Sequence, residues 1–496
     1  MNPSFRFLAL AAGALITAGC ATPVPQALKP QDVPPSFTGP APAGASVWPN
    51  PVWWKAFGSD EMSGLIVTAQ TDNLDLAVAM ANVLQAEANK DIALAALFPD
   101  VTANANAQRQ RTPGGSVTTG SGGVSGSGTF NSFGLGLSAS YEADIWGLAQ
   151  DNLRAAEEAL KSSRFAQEEV ALTTTATVGT TYLDVLALRE EIATTQQNID
   201  AAKRILTITQ AKVTNGVSSQ LDLSQQQATV AGQEAALPPL REQEHEAVFA
   251  LAILLGKPPE GFDVTAKNLD AVKPPAVAPG IPSALLLRRP DVAQAEANLA
   301  SAHANVDAAR AAFFPQINLS TAGGFASTAI STLFRASSLQ WSLGATAVQQ
   351  VFDGGKLIGE SELARAQQQG LISTYRKTAI SAFSDVETSL GQVANFGEEQ
   401  DALQREVTAS ANAFRISELQ YREGIADLLS VLQAQQTLFT AQNQLIQVKL
   451  ARAQADVNLY RALGGGWSEN PDDATQSTTP AQQPAPATTP PPPAKG

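Results

Sequence analysis

The chain has 496 residues and a formal net charge of −14 at neutral pH, with only 16% charged and 6% aromatic residues. That length admits several domains or one large one. The acidic balance argues against nucleic acid as a partner, because phosphate backbones require a basic footprint.

In chain order, residues 1–19 read as a secretion signal. Arg6 precedes an apolar run from Phe7 to Ile16, and small residues follow up to Cys20. The run is too short for a lasting transmembrane span. Cys20 is the only cysteine, so it cannot form an internal disulfide. Either it is incidental, or Thr17-Ala18-Gly19-Cys20 is a lipoprotein-type signal in which Cys20 is lipidated and becomes the new N-terminus. Two or more acyl chains give firm anchoring where one does not. Residues 20–52 form a Pro-rich linker, and the Pro/Thr/Gln/Ala tail at 468–496 lacks the apolar residues to fold.

Between these ends the chain repeats itself. Residues 89–100 read NKDIALAALFPD and residues 305–316 read NVDAARAAFFPQ. Asn89/Asn305, Asp91/Asp307, Ala93/Ala309, Ala95/Ala311, Ala96/Ala312, Phe98/Phe314 and Pro99/Pro315 coincide. Proline cannot donate the next helical hydrogen bond, so each copy marks a passage from helix into strand.

After each proline comes period-two alternation, the strand signal. Val101, Ala103, Ala105 and Ala107 alternate with polar residues; a Gly/Ser/Thr-rich loop at 112–132 leads to Phe133, Leu135, Leu137, Ala139 and Tyr141 on one face. Ile317, Leu319 and Thr321 alternate likewise, and after a loop ending near Ser338 so do Leu339, Trp341, Leu343, Ala345 and Ala347. Each run is about the 9–11 residues a tilted strand needs to cross a bilayer. A soluble sheet needs a core partner for its apolar face, and the flanking segments are helical. A bilayer forbids open sheet edges, and the smallest single-chain barrels use about 8 strands. Four strands cannot close, so several chains must share one barrel.

Long proline-free runs with helix-favouring residues follow each strand pair, Leu148–Val213 and Leu357–Arg422, each roughly 100 Å if continuous at about 1.5 Å per residue. Apolar residues recur at three- and four-residue spacing among Ala, Thr and Gln, as at Val178, Tyr182, Val185, Leu188 and Ile192. Such spans suit coiled-coil packing or a helical barrel. Both end at glycine turns, NGVSSQLDL at 215–223 and EGIADLLSV at 423–431, where Gly216 and Gly424 can supply positive φ. Returning helices follow at Leu221–Leu255 and Leu428–Leu463, the first expected to kink at Pro238-Pro239 with extra structure beside it. The chain is a tandem duplication, with repeats at 53–256 and 288–467 joined by a linker at 257–287.

No nucleophile elbow, metal-spaced cluster or phosphate loop is evident, and FGLGL at 133–137 is glycine within a strand. His245 and His303 lie on different segments and read as structural or surface residues. No catalytic or metal-binding residue is expected, and no cofactor beyond a covalent lipid on Cys20.

Cys20, the FP junctions, LLLRRPDV at 285–292, ARAAFFP at 309–315, NGVSSQLDL, YREG at 421–424 and VNLYRALGGGW at 457–467 together resemble the outer membrane factor family, the TolC-like channels, in its OprM-like lipoprotein branch. The resemblance implies an all-α fold with a transmembrane β-barrel contribution. Three chains share a 12-stranded barrel, and their long helices form a hollow α-barrel with a belt at its middle. It implies a homotrimeric conduit, embedded in outer-membrane lipid and reaching into the periplasm. Its tips meet a periplasmic adaptor joined to an inner-membrane pump of the proton-driven resistance-nodulation-division type, and it exports small toxic molecules. Ala21 after the lipidation cysteine, where Asp is absent, favours the outer membrane.

Adaptor contact falls by resemblance on the two turns: Gly216, Val217, Ser218, Gln220 and Asp222, with Gly424 and Ile425. The periplasmic gate falls on the second: Tyr421 and Arg422 as tethers to neighbouring helices, Leu429 as an apolar ring, Ser430 and Gln433 where relatives commonly carry acids. Asp427 is the nearest acid, out of register by about one turn. The main alternative is the outer channel of a one-step protein secretion system, which shares the fold; a lumenless structural lipoprotein would need larger core residues than these helices carry.

Overall fold

The computed structural model describes residues 33–39, 49–112, 128–275 and 282–467. Cys20, the signal segment, the tail at 468–496 and most of the 20–52 linker lie outside the described residues.

A short 3-10 turn at Trp53–Phe57 leads into α1 (Asp60–Asp72) and α2 (Leu74–Ala95). Strands β1 (Asp100–Thr112) and β2 (Gly128–Glu142) follow, then α3 (Leu148–Thr214) and α4 (Gln220–Leu254). The second half repeats the order: α5 (Pro290–Ala311), β3 (Gln316–Ser327), β4 (Leu339–Val348), α6 (Lys356–Arg422) and α7 (Leu428–Ala462). The long helices α3 and α6 each hold 67 residues, about 100 Å of axis. Each starts behind a glycine in the left-handed region, Gly147 at φ 84° and Gly355 at φ 90°. Among the described residues no helix is long and apolar enough to cross a membrane.

The repeated FP segments do what their sequence implies. Each helix tightens into i→i−3 bonds before its proline: Phe98 N–H to the Ala95 carbonyl and Phe314 N–H to that of Ala311, both at 3.1 Å. The strands form one antiparallel sheet in the order β1-β2-β3-β4. Within each copy the register is the same. Ala105 pairs with Leu135 in the first hairpin, and Thr321 with Leu343 in the second. β2 begins at Gly128, earlier than the loop at 112–132 had implied, because Thr129, Phe130 and Asn131 find backbone partners in Arg111, Gln110 and Arg109.

Among the described residues nothing covers the apolar face of the sheet. Trp341 and Leu343 are each 79% exposed. Around the strand–helix junctions lies an exposed apolar belt: Phe98, Ile145, Trp146, Phe314, Val351 and Phe352. Trp146 stacks on Phe314 with centroids 4.8 Å apart and donates its indole N–H to the Pro315 carbonyl at 2.7 Å. Aromatic rings with one polar atom satisfied are the side chains that settle at a membrane–water boundary.

The main core sits midway down the helices. There Trp53 stacks on Tyr460 with centroids 4.9 Å apart, beside Phe57, Met62, Tyr182 and Leu459. At Pro238-Pro239, where a kink is expected, α4 stays one continuous helix through both prolines. Both rings face outward, and the carbonyls they leave without a helical donor belong to the exposed Glu234 and Ala235. Water can satisfy those groups, which removes much of the usual reason for a helix to end. The connecting segment after α4 is pinned to α3 instead. Arg189 donates to the carbonyls of Val264 (2.6 Å) and Ala266 (2.8 Å) and pairs with Glu244 (2.7 Å).

Candidate functional site

At the end remote from the sheet, both helical hairpins turn by one device. After α3, Gly216 takes φ 75°, and Val217 N–H reaches back to the Lys212 carbonyl at 2.9 Å. After α6, Gly424 takes φ 79°, and Ile425 N–H reaches the Gln420 carbonyl at 2.8 Å. These six-to-one bonds close the orphan carbonyls of a helix end, and the left-handed residue they need favours glycine.

Each return helix then begins on a side-chain cap. Ser219 and Asp222 form a reciprocal capping box: Asp222 N–H donates to Ser219 Oγ at 3.1 Å, and Ser219 N–H to Asp222 Oδ2 at 3.0 Å. Ser218 adds its hydroxyl to Asp222 Oδ2 at 2.6 Å. In the second turn Asp427 Oδ1 accepts the Ser430 N–H at 2.9 Å and the Ser430 hydroxyl at 2.6 Å. Hydrogen bonds from the Ser218 hydroxyl and Ser219 N–H hold Asp222 below the usual carboxylate range. Those from the Ser430 hydroxyl and N–H do the same for Asp427. Both caps are therefore charged at neutral pH and weaken only on strong acidification.

The residues that sequence reasoning assigned to the tips come together here. Gly216, Val217, Gln220, Gly424 and Ile425 are exposed, and Ser218 and Asp222 are half-buried. Two apolar pairs stand out at equivalent positions of the two turns: Val217 with Ile425, 75% and 76% exposed, and Leu221 with Leu429, 65% and 58% exposed. Leu221, which sequence reasoning placed only at a helix start, carries the same signal as Leu429: an apolar residue two places after the cap.

The gate residues divide. Tyr421 is buried and joins the two hairpins. Its hydroxyl lies 3.0 Å from Thr209 Oγ1, and Lys212 Nζ sits 4.3 Å above its ring while donating to its carbonyl. Around it Ile205, Phe414, Leu428, Val431 and Phe439 form a small separate core. Arg422 is exposed, and its ion-pair partner is Glu423, the next residue, at 3.2 Å. Of the two tether residues, Tyr421 ties helix to helix within the chain, whereas Arg422 pairs with its own neighbour. Leu429, Ser430 and Gln433 lie on the exposed side of α7. Thr209 and Lys212 escaped sequence reasoning. The available signal was a lysine in the last turn of a helix, where cations meet free carbonyls.

A family model described as outer membrane efflux protein matches residues 65–257 and 281–465. The chain is similar to the pyoverdine export outer membrane protein OpmQ of Pseudomonas aeruginosa, with 40% identity over 84% of this chain and 88% of the relative. It is 33% identical to the toluene efflux pump outer membrane protein TtgC of Pseudomonas putida, over 86% of this chain and 87% of that one. Among solved structures, the outer-membrane channel OprN matches with a TM-score of 0.81 at 26% identity, covering 88% of this chain and 98% of that one. Channels of this kind are trimers in the outer membrane that extend into the periplasm and work with an adaptor and an inner-membrane pump. Unclosed strands above, paired long helices below and twin capped tips at the far end fit that architecture throughout, and the chain belongs to the outer membrane efflux protein family, as a transport channel and not an enzyme.

Proposed function

We propose that this channel exports small organic compounds passed to it by an inner-membrane pump of the resistance-nodulation-division type, through an adaptor seated on the two tips. The observation that carries this reading is the pair of equivalent turns with exposed Val217 and Ile425 in a water-filled compartment. Apolar side chains held at the end of a rigid, capped hairpin favour a protein partner there. The names of the relatives, for pyoverdine export and toluene efflux, support small cargo over secreted protein. A covalent lipid on Cys20 would add a second hold on the outer membrane. The reading is tested by placing a photo-crosslinking residue at Gln220 and at Ile425 in living cells. Ile425 is chosen over Asp427 because Asp427 caps α7. Capture of the adaptor of a drug pump is expected at both sites. Capture of a protein-secretion adaptor instead would overturn it.

The same reading assigns closure to Leu429 packing and to the Tyr421 tether, without a ring of free carboxylates. Ser430 and Gln433 carry no charge, and Asp427 is engaged in its cap. Converging carboxylates would favour cations, and protonation would abolish that preference. Single-channel recordings should therefore show cation preference changing little between pH 7 and about pH 4, the carboxylate range. A steep fall through that range would place a free acid on the axis.

A further inference from the structure

The sheet leaves two edges open, β1 on one side and β4 on the other. In a bilayer those edges must pair. The trimeric channel supplies the partner, a second copy of this chain. Its register can be read from the duplication.

The repeats are aligned by landmarks on the backbone. Pro99 and Pro315 immediately precede β1 and β3; Gly147 and Gly355, both left-handed, immediately precede the long helices that follow β2 and β4. On this alignment Ala105 corresponds to Thr321 and Leu135 to Leu343. Both pairs are partners within their own hairpins, so the alignment reproduces a register it was not built from. The contact between hairpins then has one seam inside the chain, β2 against β3, and one outside it, β4 against the next copy's β1. If the barrel treats its six hairpins alike, the outer seam repeats the inner one. Inside the chain Leu137 pairs with Gly323, and Ala139 with Thr321. Their counterparts are Ala345 with Ala107 and Ala347 with Ala105.

We infer that β4 of each chain pairs antiparallel with β1 of the neighbouring copy so that Ala345 faces Ala107 of the partner subunit and Ala347 faces Ala105 of the partner subunit. Extending the same ladder sets Leu343 opposite Arg109 of the partner subunit and Trp341 opposite Arg111 of the partner subunit.

A second observation agrees. In the stretch of each strand next to the helices the apolar residues alternate onto odd-numbered positions: Val101 to Ala107, Phe133 to Tyr141, Ile317 and Leu319, Leu339 to Ala347; Arg109 and Arg111 continue the odd face of β1 only at the far end of that strand. Facing residues in an antiparallel pair point to the same side, and the inferred pairing joins odd to odd. A slip of one residue would turn one subunit's apolar face toward the lumen. A slip of two would keep the faces but break the equivalence of the two seams, and this is the competitor the test must exclude.

The inference rests on the trimeric channel described above. It is tested by double-cysteine variants of the full-length chain in the outer membrane. Ala107→Cys with Ala345→Cys, and Ala105→Cys with Ala347→Cys, should form disulfide-linked trimers on oxidation. Facing Cα atoms about 4.5–5.5 Å apart are within the reach of a disulfide. The diagonal combinations, Ala105→Cys with Ala345→Cys and Ala107→Cys with Ala347→Cys, lie about 7–8 Å apart and should cross-link at least about tenfold less. All four variants use the same substitutions at small lipid-facing sites, and the single-cysteine variants control for Cys20. A diagonal pair that outruns the facing pairs overturns the register. So does failure of all four in a chain that an amine-reactive linker still captures as a trimer, which leaves the channel intact. If no trimer is captured by either route, the channel reading falls with it.

Discussion

With Val217 and Ile425 both replaced by aspartate, the channel will still assemble as a trimer, but export will fall to the level of cells lacking it. Both side chains lie beyond the helix ends, are three-quarters exposed and take no part in the caps. Surface changes of that kind alter folding stability by about 0.5 kcal/mol or less. At an interface the account is different. Truncating a well-seated apolar anchor costs about 2 kcal/mol, and a buried unpaired carboxylate costs more. About 2 kcal/mol at each of two positions weakens binding roughly a thousandfold. Drug susceptibility and adaptor co-purification should report this loss, while trimer migration on native gels stays unchanged. Alanine at the same two positions should give a partial defect. Full export by the aspartate variant would show that these tips do not bear the docking energy.

Much of this architecture is legible in sequence because each long element carries a redundant signal. Pro99 and Pro315 are legible because two local signals coincide there: a residue that cannot donate the next helical hydrogen bond, and an alternating strand pattern that begins at the very next positions. The alternation at Leu339–Ala347 is strict, and a strand whose apolar face meets lipid has no reason to blur it. The turns at Gly216 and Gly424 are legible for the same kind of reason: the left-handed φ is a backbone demand.

What escaped depends on surroundings that sequence does not state. Pro238-Pro239 reads as a disturbance of the helix, yet the helix stays continuous because the rings and the freed carbonyls face water. The division between α1 and α2 comes from Asn73, whose Oδ1 caps Leu76 N–H at 3.0 Å while its amide donates to the Leu254 carbonyl at 2.8 Å. Half of that arrangement lies far away in the chain. Lys212 on Tyr421 is also non-local, joining the ends of two helices from different repeats. Arg422, adjacent to Tyr421 in sequence, points elsewhere, because a helix turns about 100° between neighbours. In the proposed site, the turn positions were therefore accessible to sequence reasoning, and the bonds that join one turn to the other were not.

Alanine at Gly464 will prevent a stable trimer from forming, whereas alanine at Gly424 will be tolerated. The two glycines have nearly the same backbone, φ 84° and φ 79°. A left-handed conformation costs an L-residue about 1–2 kcal/mol, so that term cancels in the comparison. The surroundings do not cancel. A Cβ on Gly424 meets nothing within 4 Å, but one on Gly464 would lie 1.7 Å from the backbone oxygen of Arg288. That oxygen cannot swing aside, because the adjoining Arg289 is a buried anchor. Its guanidinium holds Asp291 in two bonds of 3.0 and 2.8 Å, reaches Asp385 at 3.0 Å and caps the Ala462 carbonyl at 3.2 Å. The RRPD and GGGW segments, far apart in the chain, thus form one lock between the start of α5 and the end of α7. Relieving the clash means breaking the lock; Arg289 is buried but Asp291 and Asp385 are part-exposed, so the cost is below the about 3–5 kcal/mol of a fully buried pair. Heat stability of the trimer should then rank the wild type first, Gly424→Ala slightly below it, and Gly464→Ala and Arg289→Met far below both. Equal losses at Gly424 and Gly464 would mean that backbone strain alone sets the cost and that the lock is not rigid.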